Sequence, residues 1–269
     1  LKRRAGSPGY YSQIWDNKKY ARGIIYSMES INPQEAKILL KINGIFSFAL
    51  ALGGIFLHVF LFTLGGFRAV VEYNLVSAFM VVIFYIISGW LLTQITLKKC
   101  LLLGIGAHIL LFSLLFLFRE QSLALVIPLG VINGMAIAVF WAAMTPLQYI
   151  FTTDETRYRF FGHQSFLFSI TGGIAPIVGG ALISLSGFLV SKEFGYSFVF
   201  FLIALLMATI YREAKKLPEH KTLDFSFTDV IRHQRSRVWK LALLHDFFYG
   251  LFDFMFISFA AIIIFLIVK

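Results

Sequence analysis

Residues 42 to 64 read INGIFSFALALGGIFLHVFLFTL, a run of 23 residues without Asp, Glu, Lys or Arg. At 1.5 Å per residue a helix of this length covers about 35 Å, which is enough to cross the roughly 30 Å hydrocarbon core of a bilayer. A lone β-strand would leave its backbone groups unpaired in lipid, and the run does not alternate between apolar and polar residues. The stretch therefore predicts a transmembrane α-helix.

Six further apolar runs follow the first one. They predict six more spans, which are Leu75 to Leu97, Cys100 to Phe118, Leu123 to about Met144, His163 to about Phe188, Phe194 to Tyr211, and Leu241 to Val268. The composition agrees, because 58% of the residues are hydrophobic, 14% are charged and the mean hydropathy is +0.79. The fold class predicted is all-α, a polytopic transmembrane helical bundle surrounded by the lipid bilayer.

Basic residues are distributed unequally between the two sides that these spans define. Twenty Lys and Arg fall in the N-terminal tail and in the loops on its side, whereas the opposite loops hold Arg68, Arg119 and Lys192. Because Lys and Arg are enriched in cytoplasmic loops, we expect a multi-pass protein of the plasma membrane with a cytoplasmic N-terminus. The net charge of +10 then indicates contact with anionic lipid headgroups and not with nucleic acid.

The spacing of the spans predicts four segments along the chain. They are a cytoplasmic tail (1–41), a six-helix transmembrane bundle (42–211), a central cytoplasmic loop (212–240) and the first helix of a second bundle (241–269). Within the tail, Asn32, Pro33 and Glu35 form a helix start, with a capping side chain, a proline suited to the first turn and an acid near the positive helix end. Because the sequence stops at the end of span seven, we expect a truncated second bundle.

The fifth span carries small residues around a proline. Residues 171 to 180 read TGGIAPIVGG, and Gly162 precedes them. Small residues let another helix approach closely and proline permits a bend, so an ordinary packing face is one interpretation. The pattern also resembles the fifth-helix motif of exporters in the major facilitator superfamily, although Thr171 and Ala175 stand where that family has glycine. The resemblance implies a packing or gating role for Gly162, Thr171, Ala175, Pro176, Gly179 and Gly180.

A second resemblance to this family lies between spans two and three. A glycine, a tight turn and a lysine pair match the family's loop motif, whereas Thr93 and Gln94 replace its Asp and Arg. Charged residues in the next loop on the same side are expected to supply another charge network, with plain solvation as the alternative. The residues of this inner-loop motif are Gly89, Lys98, Lys99, Arg157 and Arg159.

Polar side chains within the spans are candidates for a substrate or proton pathway, because burying them in lipid is costly. Asp246 and Asp253 are seven residues apart in span seven and return to nearly the same helix face, which Tyr249 shares. Asp246 can instead be an ordinary solvated carboxylate at the membrane surface. The other candidates, for which interhelical hydrogen bonding is the alternative role, are His58, Asn133 and Gln164.

The resemblance implies a secondary active transporter that works by alternating access between two bundles. The fifth-helix motif favours export of a small organic substrate, with protons as a candidate coupling ion. The chain contains one cysteine, Cys100, and no recognisable catalytic, phosphate-binding or metal-binding motif, so we expect no enzyme activity, no metal and no cofactor. The alternative function is a seven-helix membrane receptor or scaffold without transport activity.

Overall fold

The structure is a computed structural model that describes residues 33–189, 192–220 and 222. It also describes six short pieces of the C-terminal part, at 240–241, 244–245, 248–250, 259–260, 262–263 and 266–267. Two candidate residues of span seven, Asp246 and Asp253, lie outside the described residues.

Helices account for nearly all of the described chain. Five α-helices and one 3-10 turn follow each other, namely α1 (Pro33–Gln94), α2 (Leu97–Phe118), the 3-10 turn (Arg119–Leu125), α3 (Val126–Ile150), α4 (Asp154–Leu189) and α5 (Lys192–Ala214). The first described residue of helix α1 is Pro33, and the predicted capping residue Asn32 lies outside the described residues. No β-strand occurs within these ranges, and the prediction of an all-α membrane bundle is confirmed.

Helix α1 is long enough to supply two spans. Its 62 residues would extend about 93 Å if they were straight, but Gly66 interrupts them with φ 62° and ψ −161°. Only glycine adopts such a positive φ readily, so the chain turns there and divides α1 into a first arm (33–65) and a second arm (67–94). The sequence predicted a loop from residue 65 to 74, whereas the second arm begins directly after the kink. An Arg68–Glu72 ion pair of 2.7 Å, spaced by four residues, supports this additional helix.

Four stretches are long and apolar enough to cross a membrane. They are Gln34–Gln94, Leu97–Ile150, Asp154–Leu189 and Phe194–Ala214. The first two contain 61 and 54 residues, about twice or more what one crossing requires, and each is broken near its middle. The breaks are the kink at Gly66 and the 3-10 turn, which starts at Arg119 with a positive φ of 45°. The described part therefore provides six crossings.

The first arm of α1 lies in the centre of the bundle. Phe46 stacks on Phe140 of α3 with ring centroids 3.7 Å apart, and Phe60 meets Phe200 of α5 edge to face at 5.2 Å. These four rings are buried, and α2 and α4 also pack against α1. The core is thus formed by large aromatic side chains of the central arm and of the helices around it.

Two pairs of helices approach so closely that only glycine fits between them. A Cβ atom at Gly104 of α2 would lie 2.5 Å from the backbone nitrogen of Phe140 in α3. A Cβ atom at Gly134 of α3 would lie 2.6 Å from the carbonyl oxygen of Ser77 in the second arm. Such contacts between backbones are how small residues bring membrane helices together, and they fix the position of α3 between α2 and the second arm.

The two ends of the bundle differ. At the end that contains Lys41, the last turn of α5 and the residues after it contact three other segments. Lys41 pairs with Glu213 of α5 at 3.0 Å, Thr96 donates to Glu219 at 2.6 Å, and the rings of Phe151 and His220 meet at 5.0 Å. We call this the Lys41 end and the opposite one the Gly66 end. At the Gly66 end, Gly65 lies against Leu123 of the 3-10 turn.

Candidate functional site

A polar cluster lies between the two arms of α1. The ring of His58, on the first arm, has its Nε2 atom 2.9 Å from the side-chain oxygen of Asn74, on the second arm. The Nδ1 atom of the same ring contacts the carbonyl oxygen of Gly54 one turn earlier. Both side chains are buried. The kink at Gly66 folds the arms back on each other, and this brings together two residues that are 16 positions apart.

Helix α3 adds a second polar pair to this cluster. Asn133 donates from Nδ2 to the hydroxyl oxygen of Ser77 at 2.7 Å. The neighbouring residue, Gly134, allows α3 to approach the second arm closely at this level. The Asn133–Ser77 pair therefore depends on the close contact at Gly134 for its position. It places the Asn133 amide of α3 in the same cluster as His58 and Asn74 of α1.

A cavity of about 320 Å³ borders the cluster. Its lining is mainly apolar and includes no Asp, Glu, Lys or Arg, although it contains an imidazole, two amides, a serine hydroxyl and a phenol. Within the described part, the phenol oxygen of Tyr73 and the Nδ2 atom of Asn74 are buried without a hydrogen-bond partner. The polar residues of the lining are His58, Tyr73, Asn74, Ser77 and Asn133. This lining suits a molecule that is largely apolar and carries hydrogen-bond acceptors.

The cavity lies within the depth of the membrane. His58 precedes Gly66 by eight residues and Asn133 follows the start of α3 by seven, so both sit roughly 10 to 12 Å below the Gly66 end. At that depth polar groups without partners are costly, which makes the orphaned Tyr73 and Asn74 atoms informative.

The ring of His58 has two hydrogen-bonding arrangements available. In the structure both ring nitrogens lie next to oxygen acceptors. A doubly protonated imidazolium can donate a hydrogen bond to each of them. Rotating the Asn74 amide by half a turn would place its Nδ2 donor on Nε2 and satisfy the neutral ring instead. The two arrangements differ by one proton and in the orientation of the Asn74 amide.

Gln164, a further candidate, belongs to another part of the molecule. Gln148 of α3 donates to its side-chain oxygen at 3.3 Å, and both residues are buried. Because Gln148 is two residues from the end of α3, this pair lies near the Lys41 end and away from the His58 cavity. The structure therefore groups His58 with Asn133 and separates Gln164 from them, where it forms an interhelical hydrogen bond.

Of the three candidates in span seven, Tyr249 is described. It is exposed, and its ring stacks on that of His245 at 6.2 Å and 10°. Asp246 and Asp253 lie outside the described residues, so their roles stay predictions.

The predicted motif of α4 is divided between two faces of the helix. Thr171, Ala175 and Gly179, spaced by four residues, face the first arm: the Thr171 hydroxyl lies 2.7 Å from that of Ser47, and Ala175 is fully buried. A Cβ atom at Gly179 would lie only 2.1 Å from the ring of Phe56. Gly162 and Gly180, in contrast, would carry a Cβ without meeting a described atom within 4 Å. The half-buried Pro176 lies inside the helix between these faces.

The charges of the inner-loop motif are arranged locally. Arg157 forms an ion pair with Asp154 at 2.6 Å and donates a hydrogen bond to Thr152. Its guanidinium also lies 4.6 Å from the centre of the Tyr149 ring. Arg159 donates a hydrogen bond to the adjacent Tyr158. Connections between segments are made instead by Glu213 in the last turn of α5 and by Glu219 after that helix, as described for the Lys41 end. Gly89 is half-buried near the end of the second arm, and Lys98 and Lys99 lie in the first turn of α2.

Sequence reasoning missed several members of the cluster and of the Lys41 end. Tyr73 and Asn74 precede the second apolar run, where the sequence predicts a loop, and Ser77 is a small polar residue of the kind common in spans. Thr96 had a recognisable signal, because it precedes α2 and its hydroxyl caps the helix by accepting from the Lys99 amide at 3.3 Å.

An all-α bundle whose helices are long and apolar enough to cross a membrane defines a polytopic helical membrane protein. The chain belongs to the major facilitator superfamily, whose family model matches residues 44–268. The family that the motif resemblances indicated is therefore confirmed.

Two bacterial relatives are similar to this chain. A Geobacillus stearothermophilus protein named for its position in the sodM 3' region is 31% identical over 182 residues, which is 67% of this chain and 82% of that protein. The Bacillus subtilis (strain 168) protein YqgE is 27% identical over 231 residues, 85% of this chain. The match covers 53% of YqgE, so the chain spans about half the length of that relative. Both relatives are described as uncharacterized, and their names state no substrate.

Proposed function

We propose that this chain supplies the first six-helix bundle, the central loop and the opening helix of a secondary active transporter. The transporter exports a small organic molecule across the plasma membrane by alternating access, with the N-terminus in the cytoplasm. Membership of the major facilitator superfamily supports transport, and the small-residue motif of α4 supports export.

The observation that carries the proposal is the polar cluster beside the 320 Å³ cavity. Its lining of imidazole, amides and hydroxyls among apolar side chains favours a neutral organic substrate with hydrogen-bonding groups. An anion or a fixed cation would meet no opposite full charge from Asp, Glu, Lys or Arg among these lining residues, and a desolvated charge without a partner is costly.

Protons are the coupling ion that the cluster supports. His58 is satisfied by hydrogen bonds in both the neutral and the protonated form, and the change between them requires the Asn74 amide to turn over. Proton binding at the ring and substrate binding at the amide would then influence each other. Asp253 and Asp246 remain proposed members of the same pathway on the opposite bundle.

Transport by the full-length protein in inside-out vesicles tests this proposal. A panel of neutral and cationic fluorescent dyes identifies a transported probe, and an imposed proton gradient then drives its uptake. We expect uptake of a neutral probe by the wild type and loss of gradient dependence in His58→Gln, because glutamine cannot gain a proton. The control is His163→Gln, an exposed histidine of α4 outside the cavity. Unchanged gradient dependence in His58→Gln at equal expression would contradict the proton role, and absence of uptake for every probe would contradict the substrate class.

A further inference from the structure

A second groove lies on the outside of the bundle, remote from the His58 cavity. Helix α2 forms its floor, Met135 of α3 and Tyr211 of α5 flank it, and its volume is about 540 Å³. Along α2 the floor follows Lys99, Leu103, Gly106 and Leu110, which are spaced by three and four residues and therefore share one helix face. The groove is separate from the proposed substrate site, since the two have no lining residue in common, although both are lined by residues of α2 and α3.

The groove has the length of one membrane leaflet. Lys99 and Leu110 are eleven residues apart, which is roughly 16 Å along a helix, and half of a hydrocarbon core of about 30 Å is about 15 Å. Its polar end is at the Lys41 end of the bundle, where Lys99 stands in the first turn of α2. It thus runs from one membrane surface to the middle of the bilayer.

Gly106 gives the groove its depth. A Cβ atom added at this glycine would meet no described atom within 4 Å, so the floor is open where a larger residue would fill it. Leu103 and Leu110, on either side, are each about half exposed, with 49% and 48% of their surface accessible. The floor is therefore apolar and lowest at Gly106, with Met135 and Tyr211 at its sides, a shape that fits a single extended hydrocarbon chain.

Positive charge stands at the mouth of the groove. The Lys215 ammonium lies 4.8 Å from the centre of the Tyr211 ring, which is part of the lining, and Lys99 is itself a lining residue. The two carboxylates nearest in sequence are engaged elsewhere: Glu213 binds Lys41 and Lys216, and Glu219 accepts from Thr96. Lys99 and Lys215 are thus available to an anion at the level of the headgroups.

We propose that this groove binds one anionic glycerophospholipid of the adjacent leaflet. One acyl chain lies over Gly106 between Leu103 and Leu110, and the phosphate lies between Lys99 and Lys215. Basic pockets between membrane helices recognise lipid phosphates in this way, and each lysine near the surface contributes about a fivefold preference for an anionic lipid. The bound lipid would join α2, α3 and α5 at the Lys41 end.

Native mass spectrometry of the full chain tests the proposal, with phosphatidylglycerol and phosphatidylcholine of matched acyl chains as the two probes. We expect the wild type to retain one phosphatidylglycerol with a preference of about 25-fold, the product of two lysines. Lys99→Gln should lower that preference about fivefold and leave phosphatidylcholine unchanged. Gly106→Phe should reduce retention of both lipids, because it fills the floor.

Matched variants separate the groove from general effects. Lys37→Gln removes an exposed lysine at the same end, and Leu117→Phe enlarges an exposed residue of α2 near the Gly66 end. Neither should change lipid retention. If Gly106→Phe does not fold, Gly106→Leu replaces it in the same measurement. Equal retention of the two lipids by the wild type would overturn the assignment, as would full retention in a folded Gly106 variant.

Discussion

The contact between α2 and α3 at Gly104 allows a sharp test of the packing. In Gly104→Ala the new methyl would lie 2.5 Å from the nitrogen and 2.7 Å from the Cα of Phe140, and backbone atoms cannot move aside as side chains do. Since carbon atoms rest at about 3.5 Å or more, the helices must separate by roughly 1 Å. Overpacking of this kind costs about 1 to 3 kcal/mol.

The matched control is Gly106→Ala, two residues further along the same helix. Its Cβ meets no described atom within 4 Å, so the change adds a methyl without a clash. Alanine also favours a helix over glycine by about 1 kcal/mol, but this gain is common to both variants and cancels in their difference. The difference in unfolding free energy therefore isolates the steric cost, about 1 to 3 kcal/mol, which corresponds to roughly 2 to 12 °C in melting temperature for a chain of this size.

Thermal unfolding of the full chain in detergent measures this difference. Trp141 is a suitable probe, because its ring meets those of Phe140 and Phe46 at 5.3 and 6.0 Å and so reports on the same contact. We expect Gly104→Ala to unfold at the lower temperature and to show altered Trp141 emission before unfolding. Equal melting temperatures for the two variants would refute the close approach of α2 and α3.

Three further predictions follow from the ends of the bundle and from span seven. Thr96→Ala should lower the unfolding free energy by about 0.5 to 2 kcal/mol, because it removes the helix cap of α2 and the hydrogen bond to Glu219 after α5. The control in the same melting experiment is Thr93→Ala, three residues earlier. In intact cells, a single cysteine at Lys19 should be shielded from an impermeant thiol reagent and one at Glu72 should be labelled, and the reverse pattern would contradict the proposed orientation. Asp253→Asn should abolish transport by the full-length protein or remove its pH dependence, and an unchanged pH profile in uptake assays would assign this residue a structural role.

Hydropathy alone determined the approximate positions of the helices between residues 33 and 214. A run such as residues 42–64 must form a helix in lipid whatever surrounds it, because its backbone groups have no other partners there. A helix cap likewise acts on its own helix, as Thr96 does by accepting from the Lys99 amide at the start of α2. Loop positions were less reliable, since the ion pair after Gly66 extended a helix through residues that looked like a loop.

Only the tertiary structure decided which polar residues meet. His58, Asn133 and Gln164 look alike in the sequence, as isolated polar residues within apolar runs, but the first two share a cavity and the third lies near the opposite end. Their grouping depends on how far each helix is rotated and shifted against its neighbours. Those rotations are set by contacts between residues distant in sequence, such as Gly134 against Ser77, and periodicity within one helix carries no information about them.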